Sequence, residues 1–397
     1  MEEFDLREVF LHSQLLDGFM GDWKKWVEEE SEYQWLSFAA FVVFIVVGAI
    51  LVNLAGNLPG VSQGSTLGTQ ARLLDSSDSL SLWDGDEGRF ILDNDVKTNM
   101  AFATCVEENS AVRFVCNGIQ SQVMIDSGDG LTTSTIPTNR TITDAAIHGT
   151  DIMMISSNGM ASGVMGMKAL TPSDSSPESV GVGGDFNLDT IIATGPGKWM
   201  AGGGWNLPGA SQSSSAASPF AYEVVVEISW SDVEVAPIIQ VIYVGGQGTI
   251  HYMGLLANGD VLAAGTSGAI MIDGMTTWEI DVRSTAAVID SEGGAWFFGL
   301  SGEENVGHYV NGELMVEKLS TPLSINPDHA FVDDNTISVH GISSDNTYQA
   351  MTIDTDAKSS LLSLRGILDF LFIISSLVII GLMAWNIVEA ISKGEVF

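Results

Sequence analysis

A two-strand unit recurs along the middle of this chain, and that recurrence restricts the fold more than any single motif does. Each copy is a small-apolar run, a polar turn and a second apolar run. The copies stand at 101–103 with 112–115, 145–147 with 152–155, and 190–192 with 199–201. Three more stand at 254–256 with 261–263, 287–289 with 296–298, and 330–332 with 337–339. Some copies carry a third run, as at 269–272 and 348–353. Turn clusters such as Ser127-Gly128-Asp129-Gly130, Ala257-Asn258-Gly259-Asp260 and Ser291-Glu292-Gly293-Gly294 punctuate the runs. No amphipathic helical pattern of convincing length interrupts residues 83–354.

Most copies are about 45 residues apart, and about 40–50 residues is the period of a propeller blade. One interval is longer and holds the Ser-rich insert 209–219; another is near 33. The expected fold is all-β, a β-propeller of about six or seven blades, with the runs around 80–92 adding a blade or closing the ring. A β-sandwich pair and a β-solenoid are the competing all-β arrangements.

Two uncharged apolar runs bracket this domain. Residues 35–54 read WLSFAAFVVFIVVGAILVNL and residues 370–388 read FLFIISSLVIIGLMAWNIV. Each approaches the ~20 residues that cross a ~30 Å hydrocarbon layer. Trp35 and Trp385 lie near run ends, where aromatic rings favour the headgroup region. A long acidic segment precedes the first run, where a cleaved signal would have a short basic region. The expected organisation is a cytoplasmic amphipathic acidic helix (1–34), a transmembrane helix (35–56), a linker (57–82), the propeller (83–354), a second linker (355–366), a second transmembrane helix (367–388) and a cytoplasmic tail (389–397). Lys24 and Lys25 precede the first run and no cation follows it until Arg72, which places the central domain outside the cytoplasm. Lys358 and Arg365 before the second run pull mildly the other way. Gly48, Ala49, Ser375, Ser376 and Gly381 would let the two helices pack closely.

The chain has 50 acidic residues against 15 basic ones, a formal net charge of -35. So few cations argue against nucleic acid as a partner and against anionic lipid surfaces beyond the anchors. Scarce lysine with an acidic surface resembles, in composition, the proteins of salt-adapted archaea. The two cysteines, Cys105 and Cys116, flank the turn Glu107-Glu108-Asn109-Ser110. A hairpin centred there pairs Cys105 nearer Val112, so a disulfide and two buried thiols both remain open.

By period and strand pattern, the middle of the chain resembles the WD40-like and quinoprotein-like β-propellers. The Gly-His…Trp-Asp signature is missing, and Trp83-Asp84 is a lone dipeptide. The resemblance implies fold and no functional residue.

Catalytic signatures are scarce. Asp144, Asp189, His251 and His329 fall near the starts of first strands in different repeats, so a channel ring holding calcium or another divalent ion is the one metal reading. Asp84-Gly85-Asp86-Glu87-Gly88 lacks the ligand positions of a calcium loop and reads as an acidic turn. Asn139-Arg140-Thr141 is a lone glycosylation sequon. The functional expectation is a membrane-anchored extracytoplasmic scaffold that binds a protein or another ligand. The alternatives are a channel-site enzyme (hydrolase or quinone-dependent dehydrogenase) and an accessory subunit of a membrane complex.

Overall fold

The structure is a computed structural model. It describes residues 34–55, most of 57–355, 370–385, 388 and 392; the longest omitted stretches inside the β domain are 170–184 and 207–220. The expected acidic helix 1–34 falls almost wholly outside the described residues. So do the Ser-rich insert and most of the second linker, the C-terminal tail and the sequon. The chain divides into two compact units, 56–362 and a unit made of 1–55 with 363–397.

The larger unit is a seven-bladed β-propeller. Its chain opens with β1 (Asn57–Leu58) and β2 (Val61–Gly64). Blade 1 follows as β3 (Arg72–Ser77), β4 (Leu80–Gly85), β5 (Gly88–Asp93) and β6 (Val96–Asn99). Blade 2 is β7 (Ala103–Glu108), β8 (Arg113–Asn117), β9 (Gln122–Asp126) and β10 (Leu131–Thr135). Blade 3 is β11 (Ile142–His148), β12 (Asp151–Ser156), β13 (Ala161–Met165) and β14 (Lys168–Ala169). Blade 4 has the long strands β15 (Asp185–Gly195), β16 (Lys198–Asn206), β17 (Ala221–Ser229) and β18 (Ile238–Gln247). Blade 5 is β19 (Ile250–Leu255), β20 (Val261–Gly265), β21 (Ala269–Asp273) and β22 (Thr276–Ile280). Blade 6 is β23 (Ala286–Ile289), β24 (Ala295–Phe298), β25 (Asn305–Val310) and β26 (Glu313–Leu319). Blade 7 has β27 (Ile325–Asp333), β28 (Thr336–Ser343) and β29 (Tyr348–Asp354).

Blade 7 takes its fourth strand from the other end of the domain. β2 pairs antiparallel with β29, Val61 opposite Ile353 and Gly64 opposite Ala350. One step earlier, β1 lies parallel along β26 as a fifth strand of blade 6. The amide of Asp354 donates to the carbonyl of Gly60 at 3.3 Å, so the chain enters and leaves the ring at hydrogen-bonded neighbours. The first strands β3, β7, β11, β15, β19, β23 and β27 touch one another in a closed circuit, which makes them the inner wall.

Burial explains why six copies were legible and the outer strands were not. Every residue of β20 and β24 is buried, as expected of strands covered on both faces by neighbouring blades. Every residue of the outer strand β6 is exposed. Among the described residues, blades pack through seven apolar clusters, one at each interface. The 6/7 cluster, for example, joins Trp296 and Phe298 to Ile337, Val339 and Met351.

One sequence expectation is corrected here. Residues 57–82 are not a linker: they hold β1, β2, β3 and the start of β4. β2 reads Val-Ser-Gln-Gly and has no strand-like composition; its pairing with β29 makes it a strand. The runs around 80–92 are β4 and β5, the middle of a complete first blade.

The cysteine question also closes. β7 and β8 pair Cys105 with Cys116, and the two are disulfide-bonded, with Cα atoms 5.0 Å apart. The turn is centred two residues later than the sequence suggests. Asn109 donates its amide to Val112 O at 3.0 Å, and its Oδ1 accepts the amides of Ala111 and Val112 at 2.8 Å each. This Asx-type cap sets the register that brings the sulfurs together.

Helical structure in the smaller unit covers Gln34–Ala55 and residues 370–385. Among the described residues no helix is long and apolar enough to cross a membrane. The expected spans 35–56 and 367–388 are not supported by these helices.

Reducing Cys105–Cys116, or replacing both by serine, is expected to cost about 3 kcal/mol by loop-closure entropy. Thermal unfolding with and without reductant measures it, and the double-serine variant should show no reductant response.

Candidate functional site on the inner-strand ring

Six of the seven inner strands carry a β-bulge near their start. The register shifts between Leu73 and Asp75, Ala103 and Cys105, Ile142 and Asp144, Leu188 and Thr190, Ile250 and Tyr252, and Pro327 and His329. A bulge adds a residue and re-aims its neighbours. Here it produces two rows of side chains that reach the next blade.

The first row holds the inserted residues. Thr143 donates its hydroxyl to Leu188 O at 2.9 Å, joining blades 3 and 4. Asp189 accepts Thr249 Oγ1 at 2.7 Å and is steadied by Asn187 Nδ2 at 2.8 Å. His251 Nε2 lies 3.4 Å from Ser284 Oγ, across blades 5 and 6. Asp328 accepts Arg72 Nε at 3.0 Å, across blades 7 and 1.

The second row follows each bulge. Asp75 Oδ2 accepts the Val106 amide of blade 2 at 2.8 Å. Asp144 Oδ2 accepts the Ile191 amide of blade 4 at 3.0 Å. Tyr252 OH accepts the Ile289 amide of blade 6 at 3.0 Å. His329 Nε2 meets Ser76 Oγ of blade 1 at 3.0 Å. Away from these rows, Glu223 of blade 4 is 1% exposed and accepts the Ser267 amide of blade 5 at 2.6 Å.

All four sequence candidates lie on inner strands, as their pattern predicts. The structure places Asp189 and His251 in the bulge row and Asp144 and His329 in the row after it. Each makes a blade-to-blade hydrogen bond. Among the described residues, the one group at metal-ligand spacing is Asp75, Cys105 and Asp144. Only Asp144 of the four belongs to it. With the Cys105 sulfur bonded to Cys116, that group presents two carboxylates. Asp75 was missed although its context announces it: Leu73-Leu74-Asp75 and Ile142-Thr143-Asp144 occupy the same positions about their bulges.

The electrostatics follow from this wall. Burial pushes the Asp75 carboxyl up to about 6, against two amide hydrogen bonds that favour the charged form. Asp144 is held well above the usual carboxylate range, first by burial and then by the charges of Asp75 and Glu107. Burial lowers His251 and His329 to about 4, and Arg72 adds to the effect on His329. The ring wall therefore favours neutral side chains. Burial thus favours the protonated form of both Asp75 and Asp144.

The acidic turn at 84–88 is the two-residue hairpin loop between β4 and β5, closed by Gly85 opposite Gly88. In blade 6, Asp290 ties its own turn, accepting the Gly294 amide at 2.7 Å and Trp296 Nε1 at 2.8 Å. His308 stacks on Trp296 with ring centroids 4.0 Å apart, between Asp290 and Glu317.

No family model and no curated protein matches the chain. Solved structures, a WD40 β-propeller among them, resemble it in fold. The WD40 β-propeller domain of Doa1 is 12% identical, with a TM-score of 0.47, over 76% of this chain and 98% of that one. A chain of the mitotic checkpoint complex is 10% identical, with a TM-score of 0.49, over 75% and 91%. YCF48 from Cyanidioschyzon merolae is 10% identical, with a TM-score of 0.46, over 75% and 99%.

Asp75→Asn tests the buried acid. Asp75 binds its proton more tightly folded (about 6) than unfolded (3.8), so its contribution to stability declines as pH rises from about 4 to about 6. Urea unfolding of wild type and variant across that window should show their difference changing by about 2 kcal/mol, after allowance for partial solvent screening. Parallel profiles would mean that the carboxyl titrates normally.

Proposed function

We propose that this protein is a membrane-tethered β-propeller that serves as a binding scaffold, with the propeller outside the cytoplasm and its loop faces holding a protein or glycan partner. The observation that carries this reading is the engagement of the inner-wall polar groups. Asp75, Asp144, Asp189, His251, Asp328 and His329 hold blades to one another. The loop faces are then the surface left for recognition.

The tether rests on the apolar runs and on the point where the ring closes. Gly60 and Asp354 are hydrogen-bonded neighbours, so two anchors can leave the domain from one place. In the smaller unit, Val42, Val43, Val46, Val47 and Ile50 are exposed on the first helix, and Leu371, Ile373, Leu377, Val378 and Ile380 on the second. Apolar side chains turned outward are what a lipid environment requires. The Cys105–Cys116 disulfide supports an oxidising, extracytoplasmic side. The acidic composition supports a partner with a neutral or basic face.

The test is fractionation, followed by capture. The full chain is expected in the membrane fraction after alkaline extraction, with the propeller cleaved by protease added outside intact cells. Capture under mild detergent should return a stoichiometric partner. A chain extracted as a free protein, or capture with no partner, removes the corresponding half of the proposal.

A second reading, an accessory subunit held through its helices, is favoured by one contact. Phe44 stacks on Phe372 at 5.7 Å, and a Cβ at Gly48 would overlap the Phe372 ring. Space around Gly381 is open. Gly48→Leu should therefore weaken helix pairing and any assembly that depends on it, and Gly381→Leu should not. Cross-linking between cysteines introduced into the two helices reports the difference.

A further inference from the structure

The interface between blades 7 and 1 differs from the other six in what fills it. Among the described residues its apolar cluster has five buried members, Ala71, Leu73, Trp83, Phe90 and Tyr348, against six at the 1/2 interface and thirteen at the 6/7 interface. Leu92 and Phe331 pack against it, and titratable side chains lie beside them. His329 and His340 stand directly opposite each other on β27 and β28. His340 is 3% exposed and boxed by aromatic rings. Trp83 meets it edge-on at 5.6 Å from blade 1, Phe331 stacks on it at 5.4 Å, and Tyr348 lies at 6.2 Å. Its Nδ1 is buried without a hydrogen-bond partner among the described residues. His329 reaches across the seam to Ser76.

This interface is also where the ring is closed by pairing alone. Blade 7 is completed by β2, and separating β2 from β29 and β1 from β26 frees the seam without breaking a covalent bond. We propose that the 7/1 seam is an acid-sensitive gate, in which proton uptake by His329 and His340 opens the closure while the other six interfaces stay packed.

The two histidines favour the open form at low pH. Both imidazoles are held neutral when closed, at about 4 by burial, with Arg72 opposing a charge on His329 and His329 opposing one on His340. Opening restores them to about 6.5. Their contribution is therefore intact above about 6.5 and is lost as pH falls toward 4. At pH 5 each histidine favours the open form by about 30-fold, and the pair by up to about 1,000-fold.

The other charged and titratable groups around the pair are Arg72 on β3, Asp328 on β27 and Tyr348 on β29. Arg72 is held by Asp328, and Tyr348 OH donates to Asp328 at 2.8 Å. Burial holds Asp328 above the ordinary carboxylate range, so releasing it opposes acid opening and makes the 1,000-fold figure a ceiling. Asp75, further along β3, turns its carboxylate to blade 2, and Asp84 on β4 lies 3.9 Å from Arg89. The 5/6 interface has one comparable histidine, His251, but a nine-member apolar cluster and a continuous chain.

Hydrogen exchange on the full chain in detergent, at pH 7 and pH 5 with intrinsic rates corrected, tests the gate. Peptides from β2, β29, β3 and β4 should lose protection at pH 5 by one to three orders of magnitude, with β12 and β16 unchanged. His340→Phe, which keeps the aromatic box, should reduce the acid response of the seam about 30-fold, and adding His329→Asn should abolish it. His251→Asn should leave the seam response as it is. Equal loss of protection in all blades, no loss at the seam, or a double variant that still responds would overturn the proposal. If the variants do not fold, the wild-type comparison of seam with blades 3 and 4 decides alone.

Discussion

Four residues from the start of the domain, Val61–Gly64, complete a blade whose other three strands come from its end. The ring depends on that pairing. A propeller blade is covered on both faces only if it has a neighbour on each side, so an unclosed ring would expose two apolar faces to water. Here Ile337, Val339, Met351 and Ile353 of blade 7 are buried against blade 6, and Tyr348 meets Leu73 and Trp83 of blade 1. The same pairing brings Gly60 and Asp354, near the two ends of the domain, within hydrogen-bond distance.

A second constraint acts inside the ring. Inner strands converge, and their backbones cannot form a ladder across the gap between blades. The repeated bulge turns a side chain toward the neighbour at this point, and the hydrogen bonds of Asp75, Thr143, Asp144, Asp189, Tyr252 and Asp328 bridge the gaps. Acids and histidines at such positions resemble ligands in a sequence because both uses need a polar atom near a strand start. Their hydrogen bonds to adjacent blades favour the structural use and move attention to the loop faces.

Blade existence was legible for particular residues and hidden for others. Ala145–Ile147 with Ile152–Ile155, or Ala287–Ile289 with Trp296–Phe298, are strands buried on both sides, and their continuous apolar runs announce them. Blade 1 was half hidden because β3 reads Arg-Leu-Leu-Asp-Ser-Ser and β6 reads Val-Lys-Thr-Asn. Outer strands face water and carry no periodic signal. The Cys105–Cys116 pairing was undecided because its register depends on where a four-residue turn sits, and Asn109 sets that through its own side chain.

The sequence by itself determined the all-β class, the blade period, the two flanking apolar runs and the acidic surface, because each is a property of local pattern or summed composition. The tertiary structure alone decided that β2 belongs to blade 7, that blade 1 completes a ring of seven, and that Asp75 meets Asp144 from two blades away. It also decided that His340 is enclosed by Trp83 from the opposite end of the domain. These are pairings between residues far apart along the chain, and no local pattern encodes a partner that only ring closure brings within reach.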